Sequence, residues 1–407
     1  MAYLETRDKY AQFGVDTESA LEKLAGKAIS IHCWQGDDVT GFDGGGLGGG
    51  IQSTGNYPGK ARNFEEIKSD FLKACSLIPG KKRINLHASY AVNCSVDRNL
   101  IDYSHFAPWV EFARENHFGI DFNPTCFGHK MVKDGLTLSS TDKNVRDFWI
   151  EHCKRSRKIA DEIGRELGDY VLCNLWIPDG LKDIPADRLS PRIRLKCSLD
   201  EIFAESFPHV IDSVESKVFG IGLESYTVGS NEFYMGYAAS RKGVYNLLDN
   251  GHFHPTENVA DKISSLLCYF DIIPLHITRS VRWDSDHVVL FDDETRGICS
   301  EIVRNNAMGK VLIGLDFFDG SINRIAAWVI GTRSVQKALL SALLQPDEKL
   351  REMQDAGDFS RKLALAEEFK TMPFADVWIE YLRRQNVAEN WYPEVEEYEK
   401  SVLAGRV

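Results

Sequence analysis

Short apolar segments rich in β-branched residues recur along this chain, and longer segments with helical periodicity separate them. Alternation of this kind predicts an α/β protein whose strands form a parallel sheet. Eight strand segments favour a closed (β/α)8 TIM barrel over an open doubly wound sheet. The predicted strands cover residues 29–34, 84–88, 119–123, 170–176, 213–218, 245–249, 273–278 and 311–316.

The regions on either side of this repeat have a different pattern. Residues 1–28 predict an N-terminal helical segment, and 29–333 form the barrel catalytic domain. Residues 334–407 contain VQKALLSALL, RKLALAEEF and VWIEYLRR, which predict a C-terminal helical extension with exposed charge. Tails of this kind usually wrap the barrel or a neighbouring subunit, so this extension suggests an oligomer.

The bulk composition excludes several classes of protein. With 43% hydrophobic residues, the 407-residue chain can bury a large core. The net charge of −12 argues against a nucleic-acid or anionic-membrane partner. The nine cysteines include no CxxC pair, which favours reduced thiols over a disulfide framework. The charged N-terminus lacks an apolar signal core and no apolar stretch is long enough to cross a membrane, so we expect a cytoplasmic protein.

Conspicuous polar or aromatic residues stand at or just beyond the C-terminal end of each predicted strand, whereas the starts of the strands are mostly apolar. Barrel enzymes build their sites at that face from several strands. The distribution therefore supports the barrel and predicts a functional site at its mouth. These residues are His32 with Trp34, His87, Asn123, Trp176 with Asp179, Glu215 with Lys217, Asp249 with His252, His276, and Asp316.

The carboxylates near the later strands predict a metal site. A single aspartate at a strand end is often a turn former or a helix cap, and a single histidine in an apolar strand is often a core residue. Five carboxylates gathered at one barrel mouth would repel one another and lose hydration, however, unless divalent cations cancelled their charge. An oxygen-rich set with one imidazole per ion suits Mn²⁺, Mg²⁺, Co²⁺ or Zn²⁺. We predict one ion at Glu215, Asp249, His276 and Asp316, and a second at His252, Asp284 and Asp286 with Asp249 bridging.

The glycine run GGGLGGG at 44–50 does not predict a nucleotide site. It lacks the GxxxxGK[ST] or GxGxxG pattern between a strand and a helix. We interpret it as a surface loop after the first strand, which is either a lid over the barrel mouth or a connection without a role.

Long blocks of the sequence carry a resemblance to a known family. They include SIHCWQGDDVTGF, RINLHASYA, NLWIPDGLKD, VESKVFGIGLESYTVGSNEFYMGYA, DNGHFHPTE, RWDSDHVVL and GLDFFDGSINRIAAWVIGTR. Along nearly the whole chain the sequence resembles the L-rhamnose isomerases. The resemblance implies a cytoplasmic, usually tetrameric (β/α)8 barrel. Such an enzyme interconverts L-rhamnose and L-rhamnulose with Mn²⁺ or a similar ion, as the first step of rhamnose breakdown. It also implies that the first predicted set holds a structural metal, that the second holds a catalytic metal, and that Lys217 lies near the substrate.

Four further residues, together with His252 of the second metal set, are candidates for substrate contacts. Lys217, two residues after Glu215, would face the same interior and stabilise developing charge on a substrate oxygen. The alternative is a buried ion pair with a neighbouring carboxylate. Trp34 and Trp176 could form an apolar wall against a sugar ring, although core packing would also explain them. His87 could assist ring opening or contact a sugar hydroxyl, or it could be an ordinary core histidine.

The chemistry leaves several alternatives open. Hydrogen could move between C1 and C2 as a hydride, which we favour, or as a proton through an enediol. A metal-bound water or hydroxide could shuttle the O2 proton, or Asp316 could direct that water as a base. A rival function is a metal-dependent phosphodiesterase, which would need basic groups such as Arg279 and Arg282 near the mouth. A sugar-binding barrel without catalysis is the non-enzymatic alternative.

Overall fold

The computed structural model describes residues 2–44, 53–217, 225–279 and 286–406. Most of the glycine run and Asp284 lie outside the described residues. The proposed lid and one predicted metal ligand are therefore not placed by the structure.

Eight parallel strands close into a barrel in the order β1-β10-β9-β8-β6-β4-β3-β2, which confirms the predicted fold class. A separate two-stranded antiparallel ribbon, β5 with β7, was not predicted from the sequence. Its strands are only two residues long, too short to show an alternating pattern. The strands are β1 (Ile29–His32), β2 (Lys82–His87), β3 (Gly119–Asn123), β4 (Val171–Trp176), β5 (Gly180–Leu181), β6 (Val210–Glu215), β7 (Tyr226–Thr227), β8 (Val244–Asp249), β9 (Ile273–Ile277) and β10 (Val311–Leu315).

Helices surround the barrel, and many begin at a residue that can cap them. Asp142, for example, accepts a hydrogen bond from the Asn144 backbone N–H, and Gly168 ends the same helix with φ 64°. The helices are α1 (Ala2–Ala11), α2 (Thr17–Gly26), α3 (Phe64–Ser76), α4 (Ala107–Asn116), α5 (Lys143–Leu167), α6 (Leu189–Ile202), α7 (Asn231–Ala239), α8 (Val259–Leu266), α9 (Asp293–Arg304), α10 (Arg324–Leu343), α11 (Asp347–Asp355), α12 (Phe359–Phe369), α13 (Phe374–Arg384) and α14 (Tyr392–Ser401).

The apolar core lies between the barrel and its helices. Phe71 of α3 packs edge-to-face on Trp328 of α10, and both rings are fully buried. The Trp328 indole N–H donates to the His32 carbonyl and so ties α10 to β1. Because alternate strand residues face opposite sides, the other face of each strand lines the barrel interior, where many side chains are polar.

The N-terminal helices contact the C-terminal extension directly. Thr6 of α1 donates to Asp376 of α13, and Glu18 of α2 is paired with Arg384 at the end of α13. The division into 1–28, 29–333 and 334–407 stays a prediction. Helix α10 continues across position 333 without a break. Among the helices of the described ranges, none combines the length and the apolarity that crossing a membrane requires.

Candidate metal centre

Four of the predicted ligands converge at the C-terminal end of the barrel. Glu215 and Asp249 are the last residues of β6 and β8, His276 lies near the end of β9, and Asp316 directly follows β10. One potential ligand atom from each lies within 4.8 Å of all the others. The strand register explains the convergence, because Asp249 pairs with His276 across β8 and β9.

The spacing within this cluster suits a cation better than hydrogen bonding. His276 Nδ1 lies 3.5 Å from Glu215 Oε2, 3.5 Å from Asp316 Oδ2 and 3.8 Å from Asp249 Oδ2. These distances are too long for good hydrogen bonds. Within the described part of the chain, neither His276 Nδ1 nor Asp249 Oδ2 has a hydrogen-bond partner. Buried nitrogen and oxygen atoms that surround one point without hydrogen-bond partners are suitable ligands for a metal ion.

The electrostatics of the cluster show how much charge it concentrates. Burial alone would lower the pKa of His276, but Glu215, Asp316 and Asp249 raise it to about 9. Burial raises the pKa of Asp249 to about 7, and the Glu215 and Asp316 charges contribute to the increase. Burial would also raise the pKa of Glu215, but the positive charges of His276 and His252 hold it well below its usual range. The site therefore favours a positive charge at its centre, which a proton supplies in part and a divalent ion would supply fully.

Two members of the second predicted set lie beside this cluster. His252 is buried, and its Nδ1 lies 3.0 Å from Glu215 Oε1. Asp286 is close to Asp249, since Oδ1 of each lies within 4 Å of the point that a Cβ on Gly251 would occupy. Asp284, the third member, lies outside the described residues. The structure thus brings the described members of both predicted sets into one region.

The other predicted residues also lie around the mouth. The Lys217 ammonium sits 4.7 Å from the centre of the Trp176 ring, although β6 ends at Glu215 and Lys217 follows the strand. The indole N–H of Trp34 donates to Asp316 Oδ1 at 3.0 Å. The Trp34 ring packs edge-to-face against His87, with 4.8 Å between their centres. Burial lowers the pKa of His87 to about 3, so its imidazole is neutral near pH 7.

Sequence reasoning missed several residues that hold the site together. Asn174 Nδ2 donates to Glu215 Oε2, and the Ser213 hydroxyl donates to Asn174 Oδ1 at 2.9 Å. The Asn250 amide donates to the Thr278 carbonyl and accepts from the Thr278 N–H, joining the turn after β8 to the end of β9. An asparagine inside the apolar strand VLCNLW was the one available signal for the first of these contacts.

Comparisons with known proteins agree with this geometry. The family model described as L-rhamnose isomerase (RhaA) matches residues 1–406. The L-rhamnose isomerase of Yersinia pseudotuberculosis serotype IB (strain PB1/+) is 55% identical over 407 residues, covering 98% of this chain and 97% of that protein. The L-rhamnose isomerase of Yersinia pestis has the same identity and coverage.

A solved structure of L-ribulose 3-epimerase superposes with a TM-score of 0.51 and 13% identity, over 78% of this chain and 95% of that one. At that identity the likeness supports the barrel fold alone. The full-length family match and the close relatives determine the assignment: the chain belongs to the L-rhamnose isomerase family.

Proposed function

We propose that this chain is an aldose–ketose isomerase that interconverts L-rhamnose and L-rhamnulose, the first step of rhamnose breakdown. The observation that carries the proposal is the buried cluster of Glu215, Asp249, His276 and Asp316 at the barrel mouth, in a chain that matches its family over nearly its full length. The names of the relatives supply the identity of the sugar.

The residues at the mouth fit a divalent metal, and we propose Mn²⁺ as the ion, with Zn²⁺, Co²⁺ or Mg²⁺ as substitutes. Glu215, Asp249, His276 and Asp316 would hold one ion. His252, Asp284 and Asp286 would hold a second ion, with Asp249 shared between the two sets. When bound, such ions supply Lewis acidity toward the substrate carbonyl and the neighbouring hydroxyl.

Lys217 is proposed to act on the substrate oxygen that gains negative charge. Its ammonium already lies over the indole of Trp176, which confines the side chain to the mouth. An ammonium held in this way can donate a hydrogen bond to the developing charge without a large reorganisation. Trp176 and Trp34 would then offer their ring faces to the apolar side of the sugar.

His87 and Asp316 are proposed to handle protons or hydroxyl groups. His87 Nδ1 lies 3.2 Å from the Thr125 hydroxyl, and its low pKa makes it a weak base. We therefore favour a hydrogen bond from His87 to a sugar hydroxyl over general-base ring opening. Asp316 has one oxygen bound to Trp34 and the other directed at the cluster, and we propose that it directs a water molecule at the mouth as a base.

The route of the hydrogen atom can be decided with isotopes. Substrate carrying deuterium at C2 is converted in ordinary water, and the product is analysed for deuterium at C1. Retention of the label would favour the hydride shift, whereas exchange with solvent would favour the enediol.

A substrate panel tests the proposed function itself. Purified protein with added Mn²⁺ is assayed on rhamnose, mannose, lyxose and allose, with nitrophenyl phosphate as the substrate for the rival phosphodiesterase. We expect turnover of rhamnose that chelation abolishes, and no phosphate release. Sugar turnover that survived chelation would contradict the metal mechanism. The rival gains little support from Arg279, whose guanidinium donates to the Val288 carbonyl.

We further propose a homotetramer in the cytoplasm, as the resemblance implies. Phe359 and Leu363 of α12 support an assembly, because both apolar side chains are more than 60% exposed (61% and 62%) in the isolated chain. Light scattering after gel filtration would measure the number of subunits.

A further inference from the structure

Asn174 and Glu215 lie on neighbouring strands in a register that brings their side chains together. Trp176 of β4 pairs with Glu215 of β6, and Asn174 pairs with Ser213. Because residues two apart on a strand face the same side, all four side chains face the barrel interior. Asn174 is 2% exposed, and its amide nitrogen donates to Glu215 Oε2.

The Glu215 carboxylate fixes the orientation of the Asn174 amide, and a hydrogen bond at the other end of the amide supports it. The Ser213 hydroxyl, fully buried, donates to Asn174 Oδ1 at 2.9 Å. Because an ionised carboxylate can only accept, the amide nitrogen of Asn174 must point toward Glu215, and the Ser213 hydroxyl, which can donate or accept, then donates to the amide oxygen. The chain of hydrogen bonds from Ser213 through Asn174 to Glu215 therefore has one direction.

This chain gives the two oxygens of Glu215 different surroundings. Oε2 accepts from Asn174 and lies 3.5 Å from His276 Nδ1. Oε1 lies 3.0 Å from His252 Nδ1, a member of the second predicted metal set. The plane of the Glu215 carboxylate thus determines which oxygen faces His276 and which faces His252.

We propose that Asn174 is a positioning residue of the metal centre, which holds Glu215 in the rotamer that presents one oxygen to each side of the site. The proposal rests on the proposed function for its metal. A buried hydrogen bond to a carboxylate is worth more than an ordinary one, and loss of a hydrogen-bond partner of a metal ligand typically costs ten- to hundredfold in metal affinity or activity.

The same two strands also position Lys217. Trp176, two residues after Asn174, lies under the ammonium of Lys217, which is two residues after Glu215. Asn174 and Trp176 of β4 thus contact Glu215 and Lys217 respectively. Strand β4 contributes no ligand to the cluster, but on this proposal it determines the geometry of both groups.

The test replaces the amide with an apolar group of similar size, Asn174→Leu. Metal affinity is measured with Co²⁺ in competition with a chromophoric chelator, together with the visible absorption of the bound Co²⁺, so that the readout does not depend on turnover. We expect Co²⁺ to bind about ten- to hundredfold more weakly and its absorption bands to shift. Asn246→Leu is the matched control. Asn246 is equally buried at 2% on β8, and its amide atoms have no hydrogen-bond partner within the described residues.

A second variant, Ser213→Ala, keeps Asn174 and its hydrogen bond to Glu215 but removes the hydrogen bond that restrains the amide oxygen. We expect a smaller loss of Co²⁺ affinity than in Asn174→Leu, and no further loss when both changes are combined, because both act through one hydrogen-bond chain. Additive effects would overturn the proposal, as would unchanged Co²⁺ binding in Asn174→Leu. If Asn174→Leu fails to fold, Ser213→Ala still decides, since unchanged Co²⁺ binding and absorption in that variant would overturn the directed chain. The proposed function fails separately, if the unmodified chain binds Co²⁺ but does not convert rhamnose.

Discussion

Asp316 has its two carboxylate oxygens in different surroundings. Oδ1 accepts the indole N–H of Trp34 at 3.0 Å, whereas Oδ2 lies 3.5 Å from His276 Nδ1. Trp34 was predicted from sequence as a wall for the sugar, and the structure adds a contact to a candidate metal ligand. A residue can serve both purposes because an indole offers an apolar face and one polar edge.

Replacing Trp34 with phenylalanine separates these purposes. Trp34→Phe keeps an aromatic face but removes the donor to Asp316, so we predict a ten- to hundredfold loss in metal affinity or in kcat. The KM for rhamnose should change less than kcat at saturating Mn²⁺. Steady-state kinetics over a range of Mn²⁺ concentrations measures both.

Trp176→Phe is the appropriate comparison for that variant. The Trp176 indole N–H has no hydrogen-bond partner within the described residues, while its ring contacts Lys217. We therefore expect Trp176→Phe to leave metal affinity unchanged. Equal losses of metal affinity in the two variants would mean that the Trp34 hydrogen bond has no special role.

At the scale of the element, the turn after β8 joins Asp249, the last residue of the strand, to His252 and depends on a glycine between them. A Cβ on Gly251 would lie 2.6 Å from Thr278 Cγ2 and 3.1 Å from Asp249 Oδ1. The turn is also tied to the end of β9 by the Asn250 amide, so it has little freedom to move away. The close approach therefore requires a residue without a side chain.

Gly251→Ala should displace this turn and with it Asp249 and His252. A misplacement of about 1 Å at a catalytic site can cost on the order of a hundredfold in rate, and we predict a loss of that size in kcat/KM. Adding Thr278→Ser removes the clashing methyl group and should restore part of the activity. Full activity in Gly251→Ala, or no recovery in the double variant, would contradict the clash, with Thr278→Ser alone as the control.

Helix α5 offers a prediction about pH. His152 of α5 is fully buried, accepts the Thr125 N–H on Nε2 at 2.9 Å and lies 2.9 Å from the Arg98 carbonyl through Nδ1. This geometry requires the neutral ring, and burial lowers the pKa of His152 to about 3 from an ordinary 6.5. The pKa of His152 is lower in the folded chain than in the unfolded chain. The neutral ring therefore contributes its full share to the free energy of unfolding above the unfolded pKa of 6.5, and this contribution is lost as the pH falls toward about 3.

The expected result is a steeper loss of stability in acid for the unmodified chain than for His152→Gln. A glutamine can donate and accept but does not titrate. The His152 contribution should fall by about 2 kcal/mol between pH 6.5 and pH 5, since one proton is worth about 1.4 kcal/mol per pH unit. Thermal unfolding of both proteins at pH 7.5 and pH 5 measures the difference, and parallel changes would contradict it.

The elements also show what sequence can and cannot predict. Each barrel strand could be placed because apolar residues are concentrated within one short segment. The converging ligands followed, since parallel strands end at the same face. The Ser213–Asn174–Glu215 chain could not be predicted, because it depends on the register between β4 and β6. The start of β6 was wrong for a related reason: the strand begins at Val210 rather than at 213, and its pairing with β4 ends at Glu215.

At the scale of the whole molecule, the metal cluster is a source of instability in the absence of its ion. Three carboxylates and one histidine, each with a ligand atom within 4.8 Å of the others, must share a buried site. The positive charge of His276 offsets part of the repulsion, but burial and the charges of Glu215 and Asp316 still raise the pKa of Asp249 to about 7, so the ionised form of Asp249 opposes folding. A cation that binds only the folded chain reverses this effect. The stability of the entire barrel should therefore depend on metal.

Asp249→Asn tests this dependence. Asparagine removes one negative charge but can still accept the Gly251 N–H, which donates to Asp249 Oδ1 at 2.6 Å. We predict that the variant unfolds at a higher temperature than the unmodified chain when both are free of metal. Mn²⁺ at a hundred times its Kd should stabilise the unmodified chain by about 2.7 kcal/mol. The same Mn²⁺ concentration should barely affect the variant, which lacks the carboxylate shared by the two sets.

Calorimetry with chelator and with Mn²⁺, at one pH and protein concentration, gives the four unfolding temperatures that this prediction compares. If Asp249→Asn were less stable without metal, repulsion would not dominate the cluster. If Mn²⁺ stabilised both proteins equally, Asp249 would not be a ligand. The predicted result is that Asp249→Asn is more stable than the unmodified chain without metal and does not respond to Mn²⁺. That result would show that the carboxylates which bind the ion lower the stability of the metal-free barrel.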